Sequence, residues 1–250
     1  MTFGDWLSTL IRQVRDGMEA EPRTPVPPPP ADLLAYHPDV PIGYFLYGWL
    51  EWIGMPDWKV EGAARIRALL GDLGPGALAR VDEQFRRHLW IYNLASGPKW
   101  LNPDAGKDPY AVATDPAPVD ALELPAELAP WGFGVLAMHP GGYVREAAVR
   151  RLTAFRGGDE LPFLLLRAND WTRAVRERAA RAVIERAVPE NAPLFVRALP
   201  LIARLEESER KNAEPVLEAV RPVLRSPQAR QALFLALDSP DLLALSIRPG

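Results

Sequence analysis

The side chains that could carry chemistry in this 250-residue chain are few. The absence of cysteine excludes disulfides, thiolate zinc sites and a cysteine nucleophile. The three histidines, His37, His88 and His139, are far apart in the sequence, and two of them precede a proline, which is typical of turns. The glycine-rich run at 71–76 lacks the preceding strand and the lysine of a phosphate-binding loop. We therefore predict no catalytic residue, no metal site and no cofactor.

Arginines with interleaved aromatic residues form the constellation that could bind a ligand. Residues 139–230 include 17 basic and 12 acidic residues, whereas the whole chain has a net charge of −3. Such a stripe suits phosphates, nucleic acid or an acidic peptide. The opposing interpretation is a solvated face in which arginines pair with carboxylates one turn away, as Arg173 would with Glu177 and Arg181 with Glu185. The candidate stripe consists of Tyr143, Arg150, Trp171, Arg173, Arg178 and Arg181.

The elements that must position these side chains are predicted to be helices. The sequence has no run of alternating β-branched residues and no Asn-Gly or Asp-Gly hairpin, so the predicted fold class is all-α. Residues 1–21 have an amphipathic pattern that predicts a helix docked on its own domain, with a membrane surface or a partner as the alternatives. Four consecutive prolines within 22–41 predict a semi-rigid spacer.

Residues 42–95 are predicted to form a tryptophan-rich N-terminal helical region. Ile42 to Ile53 is aromatic and nearly apolar all round, which is typical of a buried helix. A helix from Trp58 to Leu70 is predicted to end at the glycines and proline that follow it, and the next helix is predicted over Ala77 to Leu94. An irregular connection is predicted over 96–121.

From residue 131 onward, the sequence repeats itself with a period of 31 residues. The segment Val144-Arg145-Glu146 recurs as Val175-Arg176-Glu177. A fixed period of this size, with two helices in each unit, is the signature of a solenoid, in which neighbouring units bury a face that one unit cannot bury alone. Further matched positions are Ala148 with Ala179, Arg150 with Arg181, Leu152 with Val183, and Pro162 with Pro193.

The spacing of Pro162, Asp170, Val175-Arg176 and Ala179 resembles the motif of the HEAT-repeat family of armadillo-like α-solenoids. The resemblance implies a short right-handed α-solenoid of helical pairs over residues 122–250, with a short terminal cap. It also implies that the proline bends the first helix of a pair. Asp170 and Arg176 would then bond between adjacent units as a ladder.

The neighbouring units depart from this motif at named positions. The preceding unit keeps Arg145, which we assign to the same ladder, but has His139 where the aspartate should be. The third unit, predicted as helices over 192–205 and 208–224, keeps Pro193 and lacks the aspartate and the arginine.

The resemblance implies a non-catalytic interaction module or scaffold that binds a protein partner on its concave face. The second helices of the pairs would line that face, where Arg150 and Arg181 would be stacked equivalents. The alternative is a DNA-binding or DNA-repair protein that resembles the HEAT-like alkylpurine DNA glycosylases, for which Asp170, Trp171 and Arg173 form a formal site. The negative net charge and the ladder role of Asp170 weigh against this alternative.

The location of the protein is predicted from its apolar segments. The longest apolar stretch, Ile42 to Met55, has 14 residues and contains Glu51, so it is too short and too polar to span a bilayer. Asp5 and Arg12 interrupt the N-terminal segment, and no signal peptide is predicted. We expect a cytoplasmic protein with a protein partner, and nucleic acid is the less favoured partner. A membrane-associated adaptor that uses the N-terminal helix and the spacer is a third hypothesis.

Overall fold

Helices make up all the regular secondary structure in the part of the chain that the computed structural model describes, namely residues 42–91, 94–95, 97–102, 113–208 and 211–235. The predicted all-α class is therefore confirmed for these residues. None of the described helices has the length and apolar character needed to cross a membrane. The predicted helix over 1–21, the predicted spacer over 22–41 and the predicted terminal cap lie outside the described residues.

Eleven α-helices follow one another along these residues. Two single-turn 3-10 helices lie at Pro189–Asn191 and Lys211–Ala213. The α-helices are α1 Ile42–Ile53, α2 Lys59–Ile91, α3 Ala117–Ala121, α4 Ala129–Leu136, α5 Gly142–Leu152, α6 Leu161–Arg167, α7 Arg173–Arg186, α8 Ala192–Arg197, α9 Leu199–Glu206, α10 Glu214–Leu224 and α11 Pro227–Leu235.

Helix α1 begins and ends at the residues that the sequence predicted, and it is buried on nearly every side. Trp49 and Trp52 are only 4% and 5% exposed, and α1 packs against α2. Gly62 makes this close packing possible, because a Cβ added there would lie 2.8 Å from the carbonyl oxygen of Trp49. The apolar pattern of α1 thus reflects its place in the core.

Helix α2 consists of two helical segments that meet at a kink, and these correspond to the two helices predicted on either side of the glycine-proline run at 71–76. The sequence predicted an end at Leu70, but the helix continues through Gly71 and breaks at Gly74, whose φ of 69° is non-helical. One glycine inside a helix costs only about 1 kcal/mol, so Gly71 does not end it. Gly74 interrupts it, because it has a positive φ and precedes Pro75, which disfavours a helical conformation at the preceding residue.

The other helices pack as pairs beside α2. Helix α4 pairs with α5, and α6 pairs with α7. The first members lie against α2, which also contacts α9, while the second members form a row in which α5 packs on α7 and α7 on α10. The first members come close together, since a Cβ added at Gly134 would lie 2.5 Å from the ring of Phe163. As a result, the turn before α5 lies next to the turn before α7.

The C-terminal end of α7 is tied to the start of α6 by a buried ion pair and to the turn after α5 by hydrogen bonds. The Nε of Arg186 donates to Oε1 of Glu160 at 2.9 Å, and these side chains are 4% and 1% exposed. The Nη2 of Arg186 donates to the carbonyl oxygens of Thr153 (3.2 Å) and Phe155 (2.6 Å) in the turn after α5. One guanidinium therefore joins three consecutive segments.

The structure differs from the sequence prediction in three further places. The single helix predicted over 192–205 is two helices, α8 and α9, because Pro200 near the start of α9 lacks the N–H that would continue α8. Helix α10 begins at Glu214, with Pro215 in its first turn, and not at residue 208. The predicted irregular connection over 96–121 contains the short helix α3, which packs on α5.

Candidate functional site

Two turns of the structure carry the same hydrogen bonds at a spacing of 31 residues. The Nη1 of Arg145 donates to the carbonyl oxygens of His139 (2.9 Å) and Pro140 (2.7 Å) in the turn before α5. The Nη1 of Arg176 donates to the carbonyl oxygens of the equivalent pair Asp170-Trp171 (2.8 and 3.3 Å) before α7. Each arginine thus closes the turn that precedes its own helix.

The same two turns are also closed by the side chain that begins each of them. The backbone N–H of Thr172 donates to Oδ1 of Asp170 at 2.9 Å, and that of Gly141 donates to Nδ1 of His139 at 3.0 Å. Burial, together with the positive charge of Arg145, lowers the pKa of His139 to about 3. His139 is therefore neutral near pH 7, and its Nδ1 accepts the bond that a carboxylate accepts in the next unit.

Asp170 also binds the arginine of the preceding unit, at the centre of a buried ionic cluster. Its carboxylate accepts from Nε (3.0 Å) and Nη2 (3.1 Å) of Arg145, and from Nη1 of Arg167 (3.1 Å). Arg167 reaches with Nη2 to Asp82 on α2 (2.5 Å), which also accepts from Nε of Arg86 (3.0 Å). These five residues join α2, α5 and α6, and we call them the ionic cluster.

The ionic cluster contains one more positive than negative charge. Three of its side chains, those of Arg145, Arg167 and Asp170, are at most 3% exposed, whereas those of Arg86 and Asp82 are 23% and 15% exposed. Burial raises the pKa of Asp82, although Arg167 opposes this effect. The Nε of Arg167 is buried and has no hydrogen-bond partner among the described residues. Removing one member would leave a buried charge without its partner, which is strongly destabilising.

Trp171 is exposed, and its ring contacts the guanidinium of Arg145. Its side chain is 63% exposed, although it directly follows a buried aspartate. The guanidinium carbon of Arg145 lies 5.1 Å from the centroid of the indole ring, within the range of a cation–π contact. Because Arg145 is itself fixed by Asp170, the indole contacts a group that is bound in place.

A groove of about 680 Å³ runs beside Trp171, between α2, α6 and α9. Its charged lining comprises three arginines and four carboxylates, and its leucines Leu165, Leu201 and Leu205 are at most 6% exposed. Its volume lies within the range of ligand-binding clefts. The residues that line it include the apolar side chains of Ala79, Leu165, Leu166, Leu201 and Leu205, and the polar side chains of Arg86, Asn169, Arg204 and Glu207.

Two polar groups of this groove have unused hydrogen-bonding capacity. Asn169 donates from Nδ2 to Oγ of Ser208 at 2.9 Å, but its Oδ1 is buried and has no partner within the described part of the chain. Arg204 is exposed and makes no ion pair or hydrogen bond with any described residue. Of these two groups, the guanidinium of Arg204 is the one that a ligand can reach, because Oδ1 of Asn169 is shielded from solvent.

Three of the four arginines of the predicted stripe have a carboxylate within 4 Å. Asp120 binds Arg150 at 2.5 Å, Glu177 binds Arg173 at 2.6 Å, and Glu146 lies 3.9 Å from Arg178. Arg181 is exposed and has no ion pair with any described residue, whereas Arg156 takes the predicted partner Glu185 at 3.4 Å. Tyr143 is 60% exposed, and Trp171 is the stripe residue that lines the groove.

Sequence reasoning missed several residues of this site. The pair Asp82–Arg86 is visible in the sequence as opposite charges four positions apart on a helix. Arg167 and Asp82, however, are 85 positions apart, and no local pattern joins them. Comparison of this chain with protein-family models, with curated proteins and with solved structures finds no match.

Proposed function

We propose that this protein is a non-catalytic interaction module, a short HEAT-like α-solenoid that binds a protein partner through the edge marked by Trp171. The observation that carries the proposal is the exposed indole, which Arg145 holds beside the groove. Tryptophan and arginine are enriched among the residues that dominate binding energy, and a rigid anchor loses little entropy on binding. The cytoplasmic location expected from the sequence is part of this proposal.

The repeated turns support a solenoid of stacked equivalent units. Arg145 and Arg176 make the same bonds at a spacing of one repeat. The bond from Arg145 to Asp170 joins one unit to the next, as the ladder of HEAT repeats does. Stacked units of this kind expose long edges of turns, and such edges provide surface for a partner.

The state of Asp170 supports a role without catalysis. Its carboxylate accepts four hydrogen bonds, from two atoms of Arg145, one of Arg167 and the backbone N–H of Thr172. A glycosylase would need this carboxylate free beside its substrate, whereas here it has no unused capacity for that task.

The paired arginines favour a protein partner over nucleic acid. Affinity for a polyanion grows with the number of phosphates that free cations neutralise. Arg150, Arg173 and Arg178, however, each have a carboxylate within 4 Å. A surface whose cations are already paired attracts phosphates weakly.

A comparison of three proteins tests the proposal: the wild type, Trp171→Ala and the matched control Trp90→Ala. Trp90 is 51% exposed on α2, so its removal changes a similar area at another place. Proteins that co-purify with each variant are quantified, and every candidate is then purified and titrated directly by calorimetry. We expect one partner whose affinity falls at least about tenfold in Trp171→Ala and stays unchanged in Trp90→Ala.

A partner that binds Trp171→Ala as tightly as the wild type would contradict the proposed edge. The nucleic-acid alternative is tested by measuring DNA affinity across salt concentrations with Arg150→Glu and Arg181→Glu. DNA binding with a salt slope that both substitutions reduce would replace the protein-binding proposal, because only phosphate contacts produce such a slope.

A further inference from the structure

A second cleft, of about 510 Å³, lies at the kink of α2 and shares no lining residue with the groove beside Trp171. Its volume falls within the range of small-molecule sites. Gly71, Gly74 and Pro75 line it, so the break in the helix forms part of its wall. The residues that complete the lining come from α4, the turn before α6, α6 itself and α8.

One face of α2 gives this cleft two opposite charges that are separated by small residues. Successive residues of a helix are about 100° apart around its axis. Arg67 and Asp72 are therefore about 140° apart, and Ala64, Ala68 and Gly71 lie between them. Because these three residues are small, a ligand can approach the backbone of α2 between a guanidinium and a carboxylate.

The four charged side chains of the cleft make no ion pair or hydrogen bond with any described residue. Arg67, Asp72 and Arg197 are exposed, and Asp159 is half-buried. Two guanidiniums thus line the cleft together with two carboxylates. A ligand with one sign of charge would be attracted by two of these groups and repelled by the other two. A ligand with both signs of charge, in contrast, finds a partner for each.

Apolar surface remains open to a ligand at two of the lining residues. Trp131 on α4 and Leu194 on α8 are half-buried, so part of each side chain is in contact with water. Leu70, Leu78 and Leu128 are at most 7% exposed and offer little surface. The open apolar surface is therefore small and includes an indole ring, which suits a short carbon frame.

We propose that this cleft binds a small zwitterion, a molecule with an ammonium and a carboxylate on a short carbon frame. Arg67 and Arg197 bind the carboxylate, because guanidiniums form charge-assisted hydrogen bonds with that group. Asp72 and Asp159 bind the ammonium, and the carbon frame packs on Trp131. A free amino acid and a dipeptide both carry this chemistry. The proposal does not depend on the proposed function, since the cleft and the other groove have no residue in common.

Free amino acids and dipeptides provide the probes. The common L-amino acids, and the dipeptide of each with glycine, are titrated into the full chain at pH 7 and followed by calorimetry. For the tightest ligand, N-acetylation removes the ammonium and amidation removes the carboxylate. We expect each derivative to bind at least about tenfold more weakly than the zwitterion. The order of affinity between an amino acid and its dipeptide identifies which of the two fills the cleft.

Charge-neutralising variants assign the two ends of the ligand. Arg67→Gln and Arg197→Gln should each reduce the preference for the free acid over its amide. Asp72→Asn should reduce the preference for the free amine over its N-acetyl form. These three side chains are exposed and unpaired, so their replacement does not endanger the fold. The matched control Arg181→Gln removes an exposed, unpaired arginine of α7 outside the cleft and should leave both preferences unchanged.

A steric variant tests the cleft without changing its charge. Ala68→Leu fills the space between Arg67 and Asp72 and should abolish binding of the zwitterion. Leucine is a good helix former and Ala68 is exposed, so α2 is retained. The matched control Ala174→Leu enlarges an exposed alanine of α7 outside the cleft and should leave the affinity unchanged.

Three outcomes would overturn the proposal. The first is that no member of the panel binds at millimolar concentration. The second is a ligand whose acetylated and amidated forms bind as tightly as the zwitterion, or whose affinity survives Ala68→Leu. The third is inorganic phosphate that binds more tightly than any zwitterion and loses affinity in Arg67→Gln, which would make the cleft an anion site.

Discussion

Replacing His139 by asparagine tests the assignment of a neutral, buried histidine to the turn before α5. Asparagine keeps an oxygen that can accept from the N–H of Gly141, as Oδ1 of Asp170 does for Thr172 in the next unit. It does not titrate, so the substitution His139→Asn removes the proton equilibrium and keeps the hydrogen bond.

The direction of the effect follows from the lowered pKa. In the folded protein the pKa of His139 is about 3, whereas an unfolded chain has a histidine pKa of about 6.5. Between these two values the unfolded state binds more protons than the folded state, so the free energy of unfolding falls as the pH falls. The stability is fully present above about pH 6.5.

The magnitude can be calculated for a chosen pair of pH values. Between pH 8 and pH 5 the unfolded histidine becomes protonated, because pH 5 lies about 1.5 units below its pKa, while folded His139 stays neutral. At about 1.4 kcal/mol for each unit, His139 should reduce the free energy of unfolding by about 2 kcal/mol. His88, whose pKa burial lowers to about 4, contributes in the same direction in both proteins and cancels in their difference.

The assay is urea unfolding of the wild type and of His139→Asn at pH 8 and pH 5. We expect the wild type to lose about 2 kcal/mol more than the variant over this range. Equal losses in the two proteins would refute the reasoning, because they would mean that His139 binds its proton equally in the folded and unfolded states. A larger loss in the variant would have the wrong sign and would refute it as well.

Three further substitutions test the packing by urea unfolding at pH 7. Asp170→Ala leaves Arg145 buried without its carboxylate and should cost about 3–5 kcal/mol, and a cost below about 1 kcal/mol would contradict the burial of this pair. Gly62→Ala places a Cβ 2.8 Å from the carbonyl oxygen of Trp49 and should cost about 1–3 kcal/mol. Gly48→Ala, on the facing helix, meets nothing within 4 Å and should stabilise the protein by about 0.5–1 kcal/mol, so equal effects of the two glycine substitutions would contradict the close approach of α1 and α2.

The sequence predicted the bounds of a helix well where those bounds are set by residues close by in the chain. Helix α1 was found at its observed bounds because its apolar run is continuous and Pro56 follows shortly after. The break in α2 was predicted from the run of glycines and proline after Leu70, but it lies at Gly74 and not at Gly71, since one glycine inside a helix costs only about 1 kcal/mol. Pro200 was not recognised as the start of a new helix, because proline is equally suited to a bend and to a first turn.

The site was less predictable than the helices, because its contacts are long-range. The ladder positions of Asp170 and Arg145 could be read from the repeat. Their connection to Asp82 depends on how α2, which lies outside the repeat, packs against the repeated helices. The repeat in the sequence does not predict that packing. The groove depends on the same packing, which explains why Asn169 and Arg204 were not predicted as site residues.

The two buried ion pairs at opposite ends of α7 have a mechanical consequence. At its N-terminal end, Asp170 is bound to Arg145 of the preceding unit, and at its C-terminal end, Arg186 is bound to Glu160 and to the turn after α5. Because α7 is attached at both ends to the segments that precede it, it cannot slide or tilt relative to them without breaking a buried ion pair. Helices α5 to α7 should therefore open to hydrogen exchange as one block, and a pulling force applied along the stack would meet its first strong resistance there.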